Sequence, residues 1–336
     1  MRLPRTLAVL AALAAGALIA AGIAAAVGKS ARLGPYPKLG GCPIFPDPLA
    51  GLPAGASSLP NQAAWNQDIS DAPVDPNSSG YIAYIDSHGG DMLHPDFGSP
   101  REYGFPYAVA GKRAKRIKVR FTAYGDESDH GRYRVPPKAP VEGGRNSDGD
   151  RHVLVVDRRR CKLYELYRAF FERQPRKHWN ADSGVIWNLR STRLRSDGYT
   201  SADAAGLPIF PGLVRYDEVK RGSIDHAIRV TFDSTQNAWV HPASHCAGDS
   251  SDPDAPPMGL RLRLKEGYDI SGISGAAHVI AVAMKRYGFI GADNGSNWFF
   301  SGTSDRRWPD NNLNQLKEIP GSAFEVVRSE AAIHRC

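Results

Sequence analysis

Four side chains able to move protons stand where a strand, a turn or a hairpin could aim them at one cleft. They are Glu165 in LYELY, Asp203 in YTSADAAGLPIFPG, His226 in DHAIRVTF and Asp293 in GADNGSNWFF. Two carboxyl groups with separated pKa values, one protonated and one ionised, are what cleavage of a glycosidic bond needs. In that reading Glu165 or Asp203 is the acid, Asp293 the partner carboxylate and His226 an auxiliary proton carrier. Each has a plainer alternative. Glu165 shares strand parity with Leu163 between two tyrosines: on an interior face desolvation raises its pKa toward acid use, whereas on an outer face it is a solvated side chain. Asp203, just after a capping Ser201, equally fits an acid placed to favour a helix N-terminus. His226 shares parity with Ile228, Val230 and Phe232, and His152 with Leu154 and Val156, so each is either a proton shuttle or a satisfied core histidine. Asp217 and Glu218 form an acidic pair at a strand end, functional or merely solvated.

The stretch GFIGADNGSNWFF interrupts an apolar run with a polar island, Asp293 to Asn297. Asn294-Gly295 between two apolar runs predicts a hairpin with a type I′ turn. Asp293 then faces Ser296, Ala292 faces Asn297, and Trp298 covers the bare backbone of Gly291. The same register sets Asp293, Gly291 and Trp298 on one face, where a sugar ring could stack on the indole and bond Asn297 at the rim. His152 and Tyr164 complete the expected substrate contacts.

Metal chemistry has weaker signals. His241 and His245 have the i, i+4 spacing of a helical zinc pair, with Cys246 or His226 as possible additions, but Pro242 argues against a helix across them. Asp249, Asp252 and Asp254 in GDSSDPDAPP lack the regular spacing of a calcium loop. No metal ligand and no cofactor is therefore assigned. G-x-S-x-G, P-loop and G-x-G-x-x-G patterns are absent from the sequence, which removes support for the common serine-hydrolase and nucleotide readings.

The elements that must position these residues are mostly short alternating runs separated by Gly, Pro, Asn and Asp, the pattern of a mainly β protein. HVLVVD with CKLYELY predicts one hairpin, and HAIRVTF with AWVHPA another. GLRLRLK predicts a strand with Leu260, Leu262 and Leu264 inward and Arg261, Arg263 and Lys265 outward. Two helices are expected: Pro76 to His88, ended by Gly89, and 275–287, capped by Ser274, with Ile280, Met284 and Tyr287 on one stripe and Gly288 at C′. The expected architecture is a two-sheet sandwich of jelly-roll type with one or two short helices. GKRAKRIKVRF carries six basic residues between Lys112 and Arg120; it is either a solvated edge or, joined to the Arg261, Arg263 and Lys265 face, a surface for an anionic polymer.

Arg2 and Arg5 precede an uncharged apolar stretch from Leu7 to Val27 ending in small residues, the layout of a secretory signal. An uncleaved anchor is the alternative, since about 20 apolar residues span a bilayer. Residues 28–60, rich in Pro and Gly, read as a linker that becomes an extended wrap around Cys42, and 61–336 as one β-rich domain. An exported chain with four cysteines suggests two disulfides, Cys42 with Cys161 and Cys246 with Cys336, among three possible pairings. A hydrophobic fraction of 42% excludes a wholly disordered chain. The net charge of +7, less the two signal arginines, favours an anionic cell-wall polymer or other polysaccharide. No nucleic-acid partner is expected, and membrane contact only through the N-terminal segment.

The blocks RHVLVVDRRRCKLYELYRA, TSADAAGLPIFPGLVRYDEV, PPMGLRLRLK and YGFIGADNGSNWFFSG resemble secreted proteins of actinobacteria and other soil bacteria without an established activity. The resemblance covers most of the chain after Cys42 and implies one recurring extracellular module. The combined expectation is a secreted carbohydrate-active protein, a polysaccharide hydrolase or a noncatalytic glycan binder.

Overall fold

The computed structural model of the protein describes residues 64–98, 103–191 and 193–336. The expected signal or anchor at 1–27, the wrap at 28–60 and Cys42 lie outside the described residues. In chain order the strands are β1 (Tyr107–Val109), β2 (Ile117–Phe121), β3 (Arg132–Tyr133), β4 (Val153–Asp157), β5 (Lys162–Tyr167), β6 (Phe170–Glu172) and β7 (His178–Ala181). They continue with β8 (Ser183–Asn188), β9 (Ile228–Phe232), β10 (Ala238–Val240), β11 (Arg261–Leu264), β12 (Phe289–Asn294), β13 (Phe324–Val326) and β14 (Ile333–Arg335). The α-helices are α1 (Ser78–Ser87), α2 (Tyr216–Arg221), α3 (Gly275–Arg286) and α4 (Asp310–Leu313). No helix among the described residues is long and apolar enough to cross a membrane.

The chain is mainly β, but its strands are divided among more sheets than expected. A first sheet has the order β1-β4-β5-β8, a second β3-β2-β7-β6, a third β13-β11-β12-β9, and β10 pairs with β14 alone. Each of the three larger sheets contains one parallel pair, β1 with β4, β2 with β7 and β9 with β12. That mixture differs from the antiparallel pairing of a jelly roll. The first and second sheets do pack face to face, around Val119, Tyr133, Val153, Val155, Tyr164 and Trp179. The opposite face of the first sheet packs Leu154, Leu163 and Trp187 on Ile209, Phe210 and Leu213. Because both faces are covered, β4 is buried at every position, which is why HVLVVD reads as a continuous apolar run.

The β4–β5 hairpin forms as its sequence predicts, with Val153 opposite Leu166 and Asp157 opposite Lys162. The second expected hairpin does not. HAIRVTF becomes β9, parallel to β12, while AWVHPA supplies β10, whose partner is the C-terminal strand β14. On β11 the leucines point inward as expected, but the expected wet face is exposed only at Lys265, just past the strand. Arg263 is buried, paired with Glu325 and bonded to the carbonyls of Ile69 and Ser70, and Arg261 reaches the carbonyls of Gln67 and Tyr287. The segment from Gln67 to Ser70 thus covers that side, and the proposed continuous basic surface is not built, since β2 and β11 belong to different sheets.

Helix α3 lays Ile280 and Met284 against the third sheet, in the same core as Ile82 and Ile85 of α1. Ser274 makes no side-chain cap bond; Asn312 Oδ1 instead accepts from Ala277 N at 2.9 Å. Gly288 follows the helix at φ +66°, and a Cβ there would strike the carbonyl of Leu262. Cys246 and Cys336 are bonded as expected, tying the chain's end to the loop after β10. Cys161 is also disulfide-bonded.

Candidate active site

Three of the residues singled out from sequence converge: His152, Asp203 and Asp293. What joins them is Arg229. On β9 the residues Ile228, Val230 and Phe232 face the core of the third sheet, so Arg229 points to the opposite side, and that side is closed as well; Arg229 is 2% exposed. Its Nε and Nη2 donate to the two carboxyl oxygens of Asp203 at 3.1 and 2.6 Å, the bidentate geometry a guanidinium favours. The same Nη2 donates to Asp293 Oδ2 at 3.1 Å, and Nη1 to Ser301 Oγ at 2.7 Å.

Asp293 reaches this cation because β12 is irregular. Its register against β9 slips between Gly291 and Asp293, so Ala292 has no partner residue on β9. Such a bulge re-aims the next side chain. The carbonyl of Ala292 accepts from Ala205 N at 3.0 Å, which ties the loop TSADAAG to the strand. Within that loop Ser201 Oγ accepts from Asp203 N at 2.9 Å and donates to the carbonyl of Leu207 at 2.6 Å. Gly206, at φ +74°, lets it turn; a Cβ would collide with Ser244 and Tyr199. Ser201 thus caps a turn, not a helix, and Asp203 is held with no exposed side-chain surface.

His152, immediately before β4, accompanies this cluster. Its Nδ1 lies 2.5 Å from Glu142 Oε2 and its Nε2 2.9 Å from the carbonyl of Ala202. Both nitrogens face acceptors, which suits the doubly protonated ring. Burial alone would push the imidazole down, but the Glu142 carboxylate outweighs it and carries the pKa up to about 9. Burial would likewise raise Glu142, yet His152 holds that carboxyl below its ordinary range.

Counting charges gives the electrostatic result. Two cations, His152 and Arg229, stand among three carboxyl groups, Glu142, Asp203 and Asp293. The third has no cation to itself, since Arg229 is bidentate on Asp203 and only shares Nη2 with Asp293, and it keeps a proton instead. Burial, then the neighbouring Asp203, push Asp293 up to about 8 despite the pull of Arg229. Asp293 alone of the two aspartates meets solvent, with 22% of its side chain exposed.

That exposed edge lies where two cavities meet. One, of about 340 Å³, is bordered by Tyr124, Asp150, Tyr167 and His245. The other, of about 150 Å³, is bordered by Tyr103, Phe105 and Phe299. Asp150, His152, Asp293 and Asn294 line both, so they form one cleft. Tyr103 and Tyr124, 56% and 43% exposed, present ring surface in its two halves. A third cavity of about 330 Å³, beside Arg261 and His241, shares no lining residue with these two.

The remaining expected site residues lie elsewhere. Glu165 is on an interior face, but sealed: its carboxyl accepts from Trp187 Nε1 at 2.8 Å, from Phe210 N at 2.9 Å and from Ile209 N at 3.1 Å. Burial raises its pKa to about 7, yet it lines no part of the cleft. His226 is a satisfied core residue, its Nδ1 donating to the carbonyl of Ala227 at 2.7 Å and its Nε2 3.3 Å from Glu218. Glu218 also pairs with Arg215, and Asp217 with Arg307. Tyr164 packs on Tyr133 between the first and second sheets.

The polar island is not an I′ hairpin. Asn294 ends β12, Gly291 pairs with Val230 instead of facing Trp298, and the positive φ belongs to Trp298. Trp298 is fully buried against Phe232 and Phe324, with Nε1 donating to Asp86 at 2.9 Å, and the glycine it covers is Gly321. It cannot be a substrate platform. Asn297 is buried too, bonded to Asp233 N at 2.7 Å and the carbonyl of Ile85 at 2.5 Å. His241 and His245 diverge: His245 accompanies the cleft, bonded to the carbonyl of Ala204, while His241 turns to Asp197.

Arg229, Glu142 and Asp150 escaped the sequence reading. Arg229 has the parity of an outward strand residue, and only coverage of both faces makes it a buried cation; Glu142 lies in a stretch without periodicity. Asp150, next to the Arg151-His152 pair, carries a local signal. No family model matches the chain, and comparisons with curated proteins and with solved structures find no match either.

Proposed function

We propose that the chain is a secreted carbohydrate-active enzyme that hydrolyses a polysaccharide in this cleft, with Asp293 as proton donor and Asp150 as the second carboxylate. The observation that carries the reading is Asp293 itself: a carboxyl held protonated by burial and Asp203, yet open to solvent where the two cavities join. A general acid needs that combination of a raised pKa and access to the leaving group. Tyr103 and Tyr124 offer apolar faces with polar edges on either side, the surface a pyranose ring packs on. Disulfide bonding of Cys161, Cys246 and Cys336 suits an extracytoplasmic location.

In the proposed reaction Asp293 gives its proton to the glycosidic oxygen as the bond from that oxygen to the anomeric carbon breaks. Water adds to that carbon and releases a proton to Asp150, and proton exchange with solvent restores both carboxyls. Asp203 and Arg229 touch no substrate; they fix the position and charge of Asp293. His152, bonded at both nitrogens, supplies fixed positive charge and does not shuttle protons.

The test is a panel of neutral and uronate polysaccharides, scored for retention of the purified chain and for released sugars. The wild type releases sugar from at least one polymer, and Asp293→Asn lowers release by roughly 10²–10⁴-fold while retention persists. Retention by the wild type without release would leave a noncatalytic glycan-binding protein, and undiminished release by Asp293→Asn would remove Asp293 from the chemistry.

A further inference from the structure

Away from the acidic floor of the cleft, the C-terminal strand brings a second chemical cluster together. The ligand atoms of Asp197, His241 and His334 all lie within 4.8 Å of one another. We propose that these three residues form a zinc site that fastens the C-terminal strand to the segment leading into the cleft. The proposal does not rest on the carbohydrate reading.

One pair of donors already stands at the spacing the ion needs, and the third lies within 4.8 Å of both. Zinc takes imidazole nitrogen and carboxylate oxygen at about 2.0–2.2 Å in a tetrahedron, which places neighbouring donor atoms about 3.3–3.6 Å apart. His241 Nε2 is 3.5 Å from Asp197 Oδ1. Two imidazoles and one carboxylate make a donor set suited to zinc and unlike the all-oxygen cages of calcium or magnesium. Among the described residues no Arg or Lys pairs with Asp197, whose one ion-pair partner is His241, another member of the cluster.

The two rings are also fixed in advance by one indole. In the β10–β14 ladder Trp239 stands opposite His334, and the rings stack with centroids 4.1 Å apart and planes 6° apart. His241 meets the same indole edge-on at 5.1 Å and lies across His334 at 5.8 Å and 76°. Trp239 itself is 4% exposed, and the Cys246–Cys336 bond anchors the chain just beyond His334. Held in this way, the imidazoles lose little freedom when the ion arrives, the condition under which a three-ligand site retains its metal.

Asp197 belongs to a different part of the chain. The next residue, Gly198, is bonded through its N–H to the carbonyl of Ser244 at 2.7 Å, and the chain then enters Thr200 to Asp203. Zinc bound here joins β10, β14 and this loop, and leaves a fourth position for water. Sequence spacing could not show this, because the second imidazole comes from His334 at the far end of the chain and not from His245.

The test uses the full untagged chain, stripped with chelator and titrated with zinc by calorimetry, with thermal unfolding in parallel. One zinc per chain and a higher Tm on zinc addition are expected. His334→Gln and Asp197→Asn should each weaken zinc binding at least tenfold while the metal-free Tm stays close to that of the wild type. His245→Ala, which removes an imidazole outside the cluster, should bind as the wild type does. Absence of stoichiometric binding, equal affinity in His334→Gln, or loss of binding in His245→Ala would each overturn the assignment.

Discussion

A guanidinium between two carboxylates decides the behaviour of the cleft. Arg229 spends its bidentate face on Asp203 and reaches Asp293 with one shared nitrogen, so Asp293 is the group left holding a proton. Asp203→Asn should reverse this. With one negative charge gone, Arg229 neutralises Asp293, whose pKa falls, and the alkaline limb of any activity moves to lower pH in a pH–rate profile. Strand parity made His152 legible as an interior residue, whereas Asp203 and Asp293 were singled out within a helix start and an I′ hairpin that do not form, so their types were readable and their placement was not. Glu165 was equally well placed by parity, but parity reports direction and not access. Three donors and an apolar surround close it off. Trp298→Phe, for the same reason, should lower stability and leave glycan retention unchanged, as unfolding and retention measurements on one preparation can show.

At the level of elements, what was readable was what is local. The β4–β5 hairpin is closed by a short turn, and α3 carries its own stripe and terminator, so both follow from neighbouring residues. Partners distant in sequence were not legible. The parallel pairing of β9 with β12 and the return of β14 to β10 depend on which surfaces remain uncovered once the core has formed. The bulge at Ala292 belongs to this class, and it is what turns Asp293 toward Arg229. The start of α3 follows the same pattern, since its cap comes from Asn312. Asn312→Ala should cost about 0.5–2 kcal/mol, read as a lower midpoint in urea denaturation with an unchanged slope.

For the molecule as a whole, the cleft exists because the start of β4 in the first sheet and the paired β9 and β12 of the third bring their charged residues to one place. Burying those charges makes stability depend on pH in a definite direction. Asp293 is raised from 3.8 to about 8, Glu165 from 4.5 to about 7 and His152 from 6.5 to about 9. Each folded-state pKa exceeds the unfolded one, so the folded chain holds protons that the unfolded chain releases. That stabilisation is complete below the unfolded values and is lost as pH climbs through the folded ones. Between about pH 4 and 9 the Tm should therefore fall, through the windows of Asp293 and Glu165 first and that of His152 last, with each proton contributing up to about 1.4 kcal/mol per pH unit. Glu218 acts in the opposite sense: burial would raise it, but Arg215 and His226 draw it down to about 2. Its contribution is present above the ordinary carboxylate range and disappears as pH falls toward 2.

The most direct measurement is the titration of the Asp293 side chain itself, followed by carbon-detected NMR of the carboxyl groups and assigned through its absence from Asp293→Asn. A midpoint near pH 8 is predicted, with the resonance still that of a protonated acid at pH 6. A midpoint near pH 4 would mean that Asp293 is ionised under working conditions, and the cleft would then lack the proton donor on which its proposed chemistry depends.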